Sequence, residues 1–308
     1  MLLRTTNQNN PKNNILNRNI CLRISVENIS DIKTTAMRSY AFLIVAAAFF
    51  GAATVSCNSN KSEEEREISF TVVHHAQNYR LDGSAASYQL DSDLVYLCES
   101  RLLMPSELCG HNPDTLRSAI LKVGFDTVGE FHGRILEESM LHAAAELGFA
   151  PVAIDDTIVG NNDGCFIVDG DVRDMTNRTL AYAVTRSTYQ PYAAHGMYTT
   201  TYLNYDLEQG RLFSLGDIVT PDGMKQLPAM LARTARTMRG MIGATQLEAL
   251  PADSNFYVDL RGNIVFVYQP YEIASYAQGI IEIPLQPYRI TDMLTPYGLS
   301  ILLGTDNE

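Results

Sequence analysis

The stretch Gly164-Cys165-Phe166-Ile167-Val168-Asp169-Gly170-Asp171-Val172 decides how the rest of the chain is read. It reads as a strand, and two further strand candidates, residues 178–190 and 197–208, follow it closely. Upstream, residues 67–79 carry a β-branched and aromatic strand signal, and residues 86–104 read as one or two more strands. Asn112-Pro113-Asp114 opens a helix, with Asn112 as N-cap and Pro113 at its first position. A second helix runs from about 131 to 147, where Ile135, Leu136, Met140, Leu141, Ala144 and Leu147 make an apolar stripe and Gly148 stops it. Downstream, Asp206 to Arg211 is a turn and Ser214 to Ile218 a short helical piece. A longer helix covers 221–242, where Pro228 either kinks it or marks its start. Residues 255–260 and 264–268 form a hairpin around Arg261-Gly262-Asn263, and 280–285 is a last strand. Strands, helices, strands, helix, strands is the order of an α+β fold with mainly antiparallel sheet. The loop-like residues 149–163 divide a small N-terminal module, 67–150, from a C-terminal domain, 151–302.

Composition agrees with a globular protein. The 308 residues are 46% apolar, contain no Trp and carry a net charge of −12. An acidic chain lacks the basic surface that neutralises phosphates, so nucleic acid is excluded as a partner. The first fifth differs from the rest. Residues 1–36 hold eight Asn and little apolar periodicity. Met37-Arg38-Ser39 then leads into Tyr40 to Ser56, an uncharged run that ends at Cys57. A positive start, a short apolar stretch and small residues before a boundary make a secretory signal. The small residues leading into Cys57 resemble a lipobox, which implies lipidation at Cys57. The alternative is a single-pass membrane anchor, for which this run is at the lower length limit. Residues 1–36 are read as an upstream extension, 37–56 as the signal and 57–66 as an acidic tether. Ser62-Glu63-Glu64-Glu65 resembles a surface-export signal of some Gram-negative lipoproteins, and reads equally as an ordinary acidic linker. Beyond Cys57 there are 17 basic and 33 acidic residues, a net charge of −16. The acyl chains, not a basic patch, would hold such a protein on an anionic membrane.

Chemistry-bearing motifs are sparse. There is no Gly-rich phosphate loop, no Gly-x-Ser-x-Gly elbow and no His-Glu-x-x-His helix, so no cofactor is expected. Cys98 and Cys109 flank the turn signal Met104-Pro105-Ser106 and are candidates for a disulfide, leaving Cys165 as a small hydrophobe. His74 and His75 are neighbours on a strand, point to opposite faces and cannot share a metal. Asp155-Asp156 and Asp169, Asp171 and Asp174 offer oxygens without the EF-hand pattern, so an exposed acidic strand is preferred to a metal site. Tyr182, Tyr189, Tyr192, Tyr198, Tyr202 and Tyr205 suit either sugar stacking or cross-strand packing. Arg233, Arg236 and Arg239 recur every third residue and suit an anion or intramolecular pairing.

Two segments resemble a known family. Tyr192-Ala193-Ala194-His195-Gly196, with Tyr202-Leu203-Asn204-Tyr205-Asp206-Leu207 and Gly210 to Asp217, is similar to its first signature. Pro270-Tyr271-Glu272-Ile273-Ala274-Ser275-Tyr276-Ala277-Gln278-Gly279 is similar to its second. These are marks of the RsiV-like C-terminal domain, found in the ectodomain of a lysozyme-sensing anti-sigma factor and beside a peptidoglycan deacetylase domain. Ser275 stands where that family often has Pro, and Ala193-Ala194 where a Gly pair is common. The resemblance implies two interleaved α+β modules and a binding or sensing role. Anti-sigma activity is not expected from 36 Asn-rich residues before the signal. Deacetylation is not expected either, since Ile154-Asp155-Asp156-Thr157 lacks a His-x-x-x-His partner.

The expectation is a lipid-anchored envelope protein that binds glycan, peptidoglycan fragments or a muramidase-type protein through Tyr192, His195, Tyr198, Tyr202, Tyr271, Glu272 and Tyr276. Its membrane contact is the lipid anchor alone, on the outer membrane. Glu272 is either a structural cap or part of a recognition loop. The alternative is a glycan hydrolase, which needs two carboxyls roughly 5–9.5 Å apart, drawn from Asp169, Asp171 and Glu272.

Overall fold

A computed structural model describes residues 20–25, 66–81, 95–126, 135–146, 149–150, 163–238, 248–252 and 255–304. The segment 40–56, Cys57, Asp155, Asp156 and Arg239 lie outside the described residues. The fold is α+β, with mainly antiparallel sheets. Strands β1 (Ile20–Ser25), β2 (Arg66–Leu81), β3 (Val95–Leu108), β5 (Gly164–Met175), β6 (Thr179–Tyr189), β7 (Met197–Asp206) and β8 (Arg211–Phe213) lie side by side in that order. The short β4 (Phe149–Ala150) joins the far end of β2. Pairings β1–β2 and β3–β5 are parallel; the others in this sheet are antiparallel. β3 and β5 come from either side of the 150/151 boundary, so the two modules share one sheet.

Residues 1–36 had no expected place in the fold, yet β1 adds an edge to this sheet. The edge of β2 over residues 66–71 presents backbone N–H and C=O groups, and an extended segment satisfies them. One face of the sheet carries Phe70, Leu102, Met104, Phe166, Val168, Leu180, Tyr182 and Tyr205. Against it pack Leu116, Ile120, Leu121 and Phe125 of α1 (Asp114–Phe125), and Ile135 and Met140 of α2 (Ile135–Glu146). Helix α1 begins one residue later than expected: Pro113 is its N-cap, its carbonyl accepting from the Arg117 N–H, and Asn112 stands one position before, its Oδ1 accepting from the Asp114 N–H at 2.9 Å.

The disulfide between Cys98 and Cys109 is not formed: neither sulfur is in a disulfide, nor is that of Cys165. The supposed turn at Met104-Pro105-Ser106 is part of β3, bulged at Ser106, which the register leaves without an opposite residue on β2. Pro105 has no N–H for a ladder, and a register shift opposite Ser69 and Phe70 accommodates it. Eleven positions along one strand separate the two sulfurs by roughly 35 Å, far beyond bridging distance. Burial, aided by Cys165, pushes the Cys98 thiol up to about 12, which suits an inert core residue.

The second sheet has the order β11 (Ile281–Leu285), β10 (Ile264–Tyr268), β9 (Phe256–Val258), all antiparallel. Alternation sends Phe256, Val258, Ile264, Phe266, Tyr268, Ile281, Ile283 and Leu285 to one face. There they meet α3 (Leu215–Ile218), α4 (Pro221–Ala235) and α5 (Pro296–Leu303). Thr220 caps α4 and Pro221 is its first residue, so Pro228 lies within the helix and not at its start. The helix ends at Ala235, short of the expected 242. α5, unforeseen in the sequence, crosses α3 so closely that a Cβ on Gly298 would lie 2.1 Å from the Ile218 carbonyl oxygen.

Side-chain amides join the two sheets. The Asn204 Nδ2 donates to the Phe256 carbonyl at 2.8 Å, and its Oδ1 accepts from the Val258 N–H at 3.2 Å. Asn255 repeats this on the other strand, donating to the Thr200 carbonyl at 2.9 Å and accepting from the Tyr202 N–H at 3.0 Å. Gln269 takes both groups of Thr200, its Oε1 accepting the N–H at 2.9 Å and its Nε2 donating to the carbonyl at 2.8 Å. Each carboxamide stands where the peptide group of a neighbouring strand would be.

Candidate functional site

Two connections meet at the end of β7. The first follows β6. The Ala193 N–H donates to the Gln190 carbonyl at 3.0 Å, which closes a turn with Tyr192 at φ 63°. The second follows β10. The Glu272 N–H donates to the Gln269 carbonyl at 3.1 Å, and the Gln269 N–H donates to the Glu272 carboxylate at 2.7 Å. Pro270 and Tyr271 are the central residues of that turn. Tyr271 has φ 72°, at the position where a type II turn normally places Gly. A tyrosine held there stores strain of roughly 1 kcal/mol or more. Glu272 clamps the turn, so the structural reading of this residue is the one its contacts support.

The rings these turns carry form one cluster. His195 stacks on Tyr276, with centroids 4.1 Å apart and planes inclined by 24°. Tyr271 lies 5.5 Å from Tyr276 and 6.3 Å from His195, and Tyr198 meets the edge of Tyr276 at 6.0 Å. The Tyr276 hydroxyl donates to the Gly196 carbonyl at 2.7 Å. That carbonyl also lies 2.9 Å from His195 Nδ1. A carbonyl only accepts, so Nδ1 carries the hydrogen and Nε2, in the neutral ring, accepts from the Tyr271 hydroxyl 3.2 Å away. Tyr192 is 76% exposed and Tyr271 58%, and Tyr189 and Met197 beside them are also exposed. The patch is aromatic and solvent-facing, with neutral hydrogen-bonding tips on its rings and the Glu272 carboxylate at its turn.

Of the expected site residues, His195, Tyr198, Tyr271, Glu272 and Tyr276 therefore come together, with Tyr192 protruding from the adjoining turn. Tyr202 does not join them. It is buried against Tyr257, with centroids 4.7 Å apart. Tyr182 and Tyr205 are core residues, as the packing reading of the tyrosines has it. Asp169 pairs with Arg101 at 2.8 Å, and Asp171 accepts from the Val172 N–H at 2.7 Å. His74 bonds Glu99 at 3.0 Å. Arg233 and Arg236 are exposed on the last turn and cap of α4. Among the described residues, no group of three or more His, Cys, Asp or Glu could hold a metal ion. No described helix is long and apolar enough to cross a membrane.

Reasoning from sequence missed the amide joints. It also missed a polar cluster of Arg173, Tyr257 and Glu282, in which Arg173 bonds both partners at 3.2 and 3.3 Å. These residues come from separate strands, and no spacing connects them. Other residues quoted for the first family signature turn out to be supports. Buried Asp206 accepts from the Glu208 and Gln209 N–H groups and from the Tyr297 hydroxyl at 2.9 Å. Asp217 closes a capping box with Ser214 at the start of α3.

Residues 216–287 match the DUF3298 family. Its description is a protein of unknown function, and the matched DUF3298 segment runs from α3 to the end of β11, so it contains the Tyr271–Tyr276 loop. A crystal structure of a DUF3298 family member from Bacteroides fragilis is similar, with TM-score 0.56 and 22% identity over 77% of this chain and 98% of that one. A second, from Pseudomonas aeruginosa, has TM-score 0.50 and 12% identity over 76% of this chain and 96% of that one. At these identities the likeness concerns the fold. No curated protein matches the sequence.

Proposed function

We propose that this protein is a lipid-anchored binding or sensing protein of the cell envelope, with kinship to RsiV-like domains. Its aromatic patch is the ligand surface, and a glycan or peptidoglycan fragment is the ligand that suits it best. The observation that carries the reading is the stacked pair His195–Tyr276 beside exposed Tyr271, a residue held in a strained conformation. Strain of this kind persists where the surroundings enforce it, and it clusters at ligand contacts. Exposed rings with neutral hydrogen-bonding tips fit the apolar faces and hydroxyls of a sugar. A muramidase-type protein is the second ligand to test, since an aromatic patch also serves protein partners. The lipid anchor rests on Cys57 following an uncharged run. Cleavage before Cys57 would remove β1 with the signal and leave β2 as the edge of the sheet.

The test is a pull-down on insoluble peptidoglycan and a glycan array, with lysozyme in parallel. Tyr271→Ala and His195→Ala are expected to lower binding at least tenfold while the fold is retained. Silence of the unaltered protein on all three ligands would overturn the binding role. Mass spectrometry of the protein from its native membrane tests the anchor: an intact Met1 with an unmodified Cys57 thiol would end it.

A further inference from the structure

The geometry points to a second binding site, on the face of the sheet opposite the helices, that receives the ammonium or guanidinium group of a basic polypeptide. It is built where β5 bulges. Val172 and Met175 both pack against the first core, although three positions apart on a strand. Regular alternation would send one of them outward. An extra residue, Arg173, is inserted: Val172 opposes Tyr182, Asp174 opposes Ala181 and Met175 opposes Leu180. Tyr182 and Leu180 belong to the first core, whereas Ala181 packs with Tyr202, Tyr257, Val265 and Val267. The bulge thus turns Asp174 away from the core, and bulges commonly re-aim side chains in this way.

Four strands from both sheets contribute. Arg173 donates to the Tyr257 hydroxyl at 3.2 Å and to Glu282 at 3.3 Å, and the Tyr257 hydroxyl donates to Glu282 at 3.1 Å. The single guanidinium is therefore engaged. Asp259 is engaged too, accepting from the N–H groups of Arg261 and Asn263 and from Asn263 Nδ2, each at 2.8 Å. Asp174 makes no hydrogen bond among the described residues. Its carboxyl is raised above the usual range, first by burial and then by Asp259 and Glu282, against the pull of Arg173. Tyr202 points at the same place. It is nine-tenths buried, and its hydroxyl, without a hydrogen bond among the described residues, lies in the fields of Glu282, Arg173 and Asp174.

A part-buried carboxyl without a donor, beside two further carboxyls and one cation already committed to Tyr257 and Glu282, has room for a second positive partner. A nitrogen cation supplies both the charge and the N–H donors, in charge-assisted bonds to Asp174 and with Tyr202 as a further acceptor. A divalent metal fits poorly, because it needs several free oxygens and would face Arg173. The chain's net charge of −12 favours approach of a basic partner.

The test is calorimetric titration of the purified protein with tetralysine at low ionic strength, where surface charge is least screened. Binding is expected, weakened about tenfold by Asp174→Asn and measurably by Tyr202→Phe. Asp222→Asn, on exposed α4 and removing the same charge, should leave it unchanged. Thermal melting of Asp174→Asn should be unchanged or raised, since a part-buried charge beside two carboxylates is lost, so reduced binding cannot be ascribed to unfolding. Equal losses in Asp174→Asn and Asp222→Asn would reduce the effect to general electrostatics and overturn the site. Binding of chito-oligosaccharide here with silence on tetralysine would make it a saccharide site, and silence on both would remove it. None of these outcomes touches the aromatic patch, which is probed by different variants.

Discussion

Replacing Asn204 by Leu isolates the joint between the sheets. Asn204 is 4% exposed, and its amide satisfies the Phe256 carbonyl and the Val258 N–H. Leucine has the same number and branching of heavy atoms, so no cavity arises, but both backbone groups lose their partner inside the protein. An orphaned buried group costs about 1–3 kcal/mol, so two cost about 4 kcal/mol. The added apolar burial offsets about 1 kcal/mol, leaving a loss of about 3 kcal/mol. For a chain of this size that lowers Tm by roughly 6–12 °C. The assay is thermal melting by circular dichroism with a parallel urea titration, in which the midpoint should fall and the slope stay constant. Asn204→Asp adds a signature in pH. The aspartate still accepts from Val258 but opposes the Phe256 carbonyl with a charge, and burial raises its pKa above the unfolded value. Its destabilisation is therefore full at neutral pH and shrinks as pH falls through the folded-state pKa, when the carboxyl can donate. A loss below about 1 kcal/mol in Asn204→Leu would refute the view that these amides stand in for strand peptides.

Other outcomes follow from particular contacts. Gly298→Ala should cost about 1–3 kcal/mol or more, because its methyl meets backbone of α3 and not a movable side-chain end; a melt unchanged from the parent would contradict this. The Asp217 carboxyl is held below the usual range, first by the Ser214 hydroxyl and N–H and then by Arg211, with burial opposing. The stability it gives is present above the unfolded pKa and lost as pH falls through the folded one. Asp217→Asn should flatten the acid limb of the stability curve below about pH 4, at a neutral-pH cost of about 1 kcal/mol. Tyr271→Gly should raise stability by about 1 kcal/mol by relieving its positive φ, while binding is lost; lower stability would remove strain from the account.

Much of the fold is legible in local chemistry. Strand patterns placed β2, β5, β6, β7, β9, β10 and β11 within a few residues, because alternation and β-branching act on neighbours along the chain. Asn112-Pro113-Asp114 announced the start of α1 within one residue for the same reason. Pro105 misled, because a strand can absorb a proline by bulging beside it, as β3 does at Ser106, and the register that shows this depends on β2, more than thirty residues away. The short α5 gave no signal of its own: it is mostly apolar, without a periodic polar face, and defined by the fit of Gly298 on α3.

The candidate site divides along the same line. By itself the sequence determined the α+β order, the acidic balance and a set of rings in two separate signatures. It also marked Asn204 and Asp206 without saying that they are joints. Only the tertiary structure decided which rings meet. His195 and Tyr276 stack although 81 positions apart, while Tyr202, nearer in sequence, is turned to the other cluster. The bulge at Arg173 belongs to this class too, since two core residues three positions apart reveal an insertion only once the opposing register is known. Local propensity acts over a few bonds and can be read from one segment. The pairing of faces depends on register between distant strands, which a single segment does not contain.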